Sequence, residues 1–146
     1  MKKSFSVALY YEMLKKIVRM DIDAYATHLL TRKNLRKLLA PAIIGCEYSG
    51  KDAVDTNTIK PKQVNFHPTM NVGLAKLLPY QIGQKTPCGN RVGACAENMS
   101  GNSVLWQLND ANQNIPELKD LKFTVALRPR TFSRVPTCDN CLTVFN

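Results

Sequence analysis

The sequence predicts an α/β domain on three observations. Two amphipathic helical stripes lie near its start, a run of strand formers covers 121–127, and helical segments flank that run on both sides. Over 6–19, Val7, Leu9, Tyr10, Leu14, Ile17 and Val18 recur mostly at three- and four-residue steps, with Lys15, Lys16 and Arg19 off the stripe, which predicts an amphipathic helix. Over 23–39, Leu29, Leu30, Leu35, Leu38 and Leu39 alternate with Arg32, Lys33, Arg36 and Lys37 until Pro41 discourages continuation. That basic face suits either phosphate contact or plain solvation.

From 45 to 68 the composition turns to Gly, Asn, Asp, Thr and Pro with short apolar patches at Ile59 and from Val64 to Phe66, predicting loop with one or two short strands. A short helix is expected over 71–78, stopped by Pro79, followed by a loop or strand over 80–91 with turn chemistry at Pro87-Cys88-Gly89-Asn90. The segment 94–108 carries Cys95, Glu97, Met99, Val104, Leu105 and Leu108 and reads as a helix, weakened in its middle by about 1 kcal/mol at Gly101. Leu121 to Leu127 reads as a well-buried strand, and a last helical turn or two opens at Pro136 and runs through Val144.

With 146 residues, 45% of them hydrophobic, the chain has the size and apolar content of one domain. Lys and Arg total 20 against 11 acidic residues, a formal charge of +9, which draws polyanions by counterion release and steering and serves solubility as well. No stretch reaches the roughly 18 apolar residues of a membrane span, and Glu12 and Lys15 interrupt the early apolar run too soon for a cleaved export signal. No membrane association is expected. Five cysteines, an odd number that includes a C-x-x-C, favour metal or redox chemistry in a reducing environment over a disulfide framework.

Cys138 and Cys141 are three apart, so one helical turn presents both thiolates to one point. A third ligand must come from another element. Cys95 stands two residues before Glu97, so one helix N-terminus can supply a thiolate and a carboxylate beside a metal, and its dipole stabilises the thiolate. The order Cys95-Ala96-Glu97, a buried strand, then Cys138-Asp139-Asn140-Cys141 matches the arrangement of zinc deaminases of nucleobases, in which the Glu moves protons and is not a ligand.

On these residues, across 87–141, the chain resembles the cytidine deaminase-like superfamily and looks most like the YwqJ-like bacterial polymorphic-toxin deaminases. The resemblance implies a three-layer sandwich, a central mixed β-sheet with helices on both faces. It also implies one domain over 1–146, with a helical N-terminal segment over 1–45 and a zinc-deaminase core over 60–146. It further implies Zn2+ on Cys95, Cys138 and Cys141, with Glu97 catalytic in hydrolytic deamination, cytosine to uracil more often than adenine to hypoxanthine. The implied substrate is single-stranded DNA or RNA, and the implied setting is a secreted effector acting in the target-cell cytoplasm with an immunity protein as partner. A free cytidine or nucleotide deaminase, cytoplasmic, is the alternative. Thr137 separates Pro136 from Cys138 where the family has Pro directly before Cys, and only five residues follow Cys141. Either this branch ends early or earlier segments complete the sheet.

Substrate contacts are nominated at Asn90, in the loop before the metal helix, and at Arg128, Arg130 and Phe132, with Arg134 nearby, for phosphate binding and base stacking. Turn formation by Asn90 and simple solvation of the arginine loop are the competing readings. A closed four-cysteine zinc site using Cys88 with Cys95, Cys138 and Cys141 would instead make a non-catalytic binding module. Cys46 reads as a small buried hydrophobe, and His28 and His67 as surface or packing residues.

Overall fold

The computed structural model describes residues 1–26 and 41–146. Its centre is β2 (Ile43–Tyr48), which pairs antiparallel along its whole length with β3 (Lys51–Thr56). Ser49 and Gly50 join the two with φ of 48° and 80°, the left-handed pair that a tight two-residue hairpin requires. The loop expected over 45–68 is therefore a hairpin in its first half, and Ile59 and Val64 lie outside any strand.

The other edge of β2 is covered by two short strands, β4 (Lys122–Phe123) and β5 (Ala126–Leu127), in place of the single strand expected over 121–127. Cys46 faces Phe123 and Ile43 faces Leu127, so two residues of β2 oppose three of its partner and a bulge forms at Thr124 and Val125. Side chains replace the missing ladder bonds. Gly45 N–H donates to Thr124 Oγ1 at 2.9 Å, and Val125 N–H donates to the Tyr10 hydroxyl at 3.1 Å. Beyond β4 lies β1 (Lys2–Lys3), parallel to it, and beyond β5 lies β6 (Arg134–Val135), antiparallel. The sheet is mixed. Its central hairpin falls at 43–56, across the boundary region between the expected helical segment over 1–45 and the expected core over 60–146.

Successive residues of β2 point to opposite faces. Ile43 meets Met13 and Ile17 of α1 (Val7–Ala26), and Gly45 lies against Leu9, where a Cβ would come within 2.7 Å of that side chain. The buried stripe of α1 is thus Leu9, Met13 and Ile17, whereas Val7, Leu14 and Val18 of the expected stripe are exposed. Ser6 Oγ accepts from Leu9 N–H and caps this helix.

Ile44 and Cys46 point the other way, into the main core with Val104, Leu105 and Leu108 of α3 (Ala96–Asp110). Helices therefore pack on both faces. α2 (Pro68–Leu74) and the short C-terminal α4 (Asp139–Val144) contribute Met70, Cys141 and Val144 to this same core. Gly101, the expected weak point of α3, sits where a Cβ would press on Met70 and Leu121, and Asn102 holds the chain before α2 through bonds with His67 N and Asn65 O. The helix gives up propensity there for close packing. The second expected helix, over 23–39, lies outside the described residues except for its start, which continues α1. No helix among the described residues is long and apolar enough to cross a membrane.

Candidate metal centre

Two helix N-termini converge under one end of the sheet. Cys95 is the N-cap residue of α3 and Cys138 that of α4, each in extended backbone, and Cys141 follows one turn into α4. Their three Sγ atoms lie within 4.8 Å of one another, Cys95 and Cys138 at 3.3 Å, close enough to hold a metal ion. Cys88 is exposed and lies outside this cluster, with its thiol 3.2 Å from Thr86 Oγ1. Cys46 is fully buried in the main core. His67 caps α2 by accepting from Thr69 N–H and packs edge-on against Trp106, while His28 lies outside the described residues.

The cluster is electrostatically asymmetric without a metal. Hydrogen bonds from the Cys141 and Cys95 thiols pull Cys138 down to about 2, and the Asn90 side chain adds to this. The same bonds, with burial, push Cys95 and Cys141 above the ordinary thiol range. The negative charge of the cluster is thus favoured on Cys138. Glu97, in the first turn of α3, is 6% exposed, and burial raises its carboxyl above the usual carboxylate range, with Cys138 adding to the shift. A carboxyl so placed holds its proton more tightly than an exposed one.

A cleft of about 280 Å³ opens over these groups. Cys95, Glu97 and Cys138 contribute to its lining, together with Asn57, Asn90 and Arg128. Asn90 reaches the cleft from a turn closed by Thr86 N–H donating to Asn90 O and Gly89 N–H donating to Thr86 O. Arg128 reaches it from the first position of the β5–β6 loop, where its N–H donates to Ser133 O. Arg130 and Phe132 lie farther out on that loop, exposed, and do not line the cleft; Phe132 adopts φ of 58° at the turn. Sequence reasoning missed Asn57, whose Oδ1 accepts from Ala42 N–H at the end of the hairpin, because the hairpin itself was not recognised. It also missed Asn140, buried between the two α4 cysteines, although a polar residue inside a C-x-x-C is a signal worth reading.

No family model, no curated protein and no solved structure matches this chain.

Proposed function

We propose that the chain is a zinc-dependent nucleobase deaminase acting on cytosine in single-stranded nucleic acid, and that the mixed sheet with its flanking helices is a deaminase-like sandwich. The observation that carries this reading is the placement of the buried Glu97 beside a cluster of three thiols, two of which, Cys95 and Cys138, line the same cleft as Glu97. Tetrahedral zinc–thiolate bonds of about 2.3 Å put sulfurs roughly 3.8 Å apart, a spacing compatible with three Sγ atoms within 4.8 Å of one another. Cys95, Cys138 and Cys141 would hold the ion. Among the described residues the cluster offers three protein ligands, with Cys88 outside it, and a zinc ion held by three ligands would keep a fourth position for water, as catalytic zinc sites do.

Zinc bound there would supply a water of lowered pKa as the nucleophile. Glu97 would take the first proton of the attacking water and pass it to the ring nitrogen, then take the proton of the hydroxyl formed at the amino-bearing carbon and pass it to the amino group, which leaves as ammonia. Asn90 and Arg128 hold the nucleotide from the cleft walls, Asn90 through its amide and Arg128 through charge on a phosphate. The cleft, of about 280 Å³, is of a size to hold one nucleobase. As a toxin domain the chain would be delivered as a secreted effector into a target cell and be held in check by an immunity protein.

The test is ammonia release and base conversion on single-stranded DNA, single-stranded RNA and free cytidine, with a Glu97→Ala control and a zinc determination. Conversion of a polymer by the wild type alone is expected. Conversion of cytidine alone would assign a free-nucleoside enzyme, and bound zinc without any conversion would assign a binding module.

A further inference from the structure

The β5–β6 hairpin separates the metal cleft from a second groove of about 460 Å³. Ala126, Val135 and Pro136 line both, so the two are neighbours across one thin wall. Lys2, Lys3 and Arg134 contribute three cations to the second groove, and among the described residues no carboxylate lines it. Lys2 is paired with Asp120 at 2.6 Å, but among the described residues neither Lys3 nor Arg134 forms an ion pair. On the opposite side of the wall Arg128 faces the cleft, and it too has no ion pair among the described residues. Leu142, 41% exposed, and Val125 add apolar surface to the groove.

We infer that this groove carries the phosphodiester backbone of a single-stranded polynucleotide, on one side of the base held in the cleft. The inference rests on the deaminase reading for what occupies the cleft, and on the groove's own charge for what lies beside it. A strand leaving the cleft over Pro136, which lines both, would pass from Arg128 in the cleft to Arg134 and Lys3 in the groove, and among the described residues no acid lines the groove to repel it. A free nucleoside filling the cleft would leave the groove empty, so the groove selects polymer over monomer. Bases flanking the extruded one are unstacked in a single strand and can lie on Leu142 and Val125.

The experiment uses the full zinc-loaded chain and fluorescent single-stranded DNA and RNA oligonucleotides of about a dozen nucleotides, with binding read by anisotropy across a salt series. Lys3→Glu and Arg134→Glu are compared singly and together, with Arg134→Gln as a gentler variant and thermal melting as the folding control. The double variant is expected to bind about tenfold or more weakly at low salt, and its log–log salt slope should fall by about 1.4, roughly 0.7 for each phosphate left without its cation. Affinity within twofold of wild type and an unchanged slope would overturn the groove assignment, as would equal binding of polyglutamate of matched charge. Base conversion by the wild type is followed on the same oligonucleotides. Conversion together with unchanged variant binding would sink the groove alone. Loss of salt-dependent binding in the variants, without any conversion by wild type, would sustain the groove and remove the deaminase reading.

Discussion

Thr86 donates its hydroxyl proton to Asn140 Oδ1 across 2.7 Å, joining two buried side chains 54 residues apart. Asn140 stands between Cys138 and Cys141, and its amide also donates to Asn90 O at 3.4 Å. The loop that carries Asn90 and the turn that carries two thiols are therefore fixed to each other by one small polar network. Thr86→Val keeps the shape and removes the donor, leaving Asn140 Oδ1 short of a partner at a cost of about 1–3 kcal/mol. Groups that orient metal ligands typically change affinity about 10- to 100-fold when removed. A competition assay against a zinc chelator should show weakening in that range, with a matching drop in melting temperature.

Glu97→Gln preserves size and burial and removes the proton carrier. Deamination of the preferred substrate is expected to fall between about 100- and 10,000-fold, with zinc content and melting temperature near wild type. Single-turnover conversion is the measurement.

Among the cysteines, Cys95→Ser, Cys138→Ser and Cys141→Ser should each abolish stoichiometric zinc, whereas Cys88→Ser should retain it, because its thiol lies outside the cluster. Elemental analysis of the purified variants decides this. α4 has six residues, too few to persist alone, so chelation of the metal should raise hydrogen exchange across 138–144 before the sheet is affected.

Metal loading should also be steeply pH-dependent. In the metal-free cluster Cys138 holds the thiolate while Cys95 and Cys141 are held protonated, so two protons leave when all three sulfurs become ligands. Affinity should therefore rise by about 100-fold per pH unit around neutrality and fall equally as pH drops. Calorimetry in buffers of different ionisation enthalpy counts the protons directly, and a count of zero or three would contradict the arrangement.

Tyr10→Phe removes the hydroxyl that satisfies Val125 N–H at the bulge. A loss of about 1–3 kcal/mol is expected in denaturant unfolding, without loss of zinc.

What was legible in the sequence is unevenly distributed. The helix carrying Cys95 and Glu97 and the turn carrying Cys138 and Cys141 could be read because ligand spacing and helix starts are local signals. Their approach in space could only be expected. The β2–β3 hairpin escaped because its turn is Ser49-Gly50 and not a stronger turn pair, and because β3 is Lys-Asp-Ala-Val-Asp-Thr, with little apolar content. On α1, apolar residues occur on two sides, and only the trough made by Gly45 decides that Leu9 is the buried one. Nearness in sequence to the metal turn pointed to Arg130 and Phe132, but the six-residue loop from Arg128 to Ser133 carries them away from the cleft that Arg128 lines.

The bulge at Thr124 and Val125 bears on how this sheet tolerates change in length. Phe123 and Leu127 are four residues apart, yet Phe123 lies in the core under α3 and Leu127 against Ile43 under α1. A regular strand would put both on one side. The extra residue is slack in the ladder. Losing Val125 would cost the Tyr10 hydrogen bond but leave Phe123, Leu127 and the Arg128 that follows facing as they do. Losing a residue from β2 would turn everything beyond it over to the opposite side. The sheet thus has one place where a single-residue deletion is absorbed, and it lies beside the strand that delivers Arg128 to the cleft.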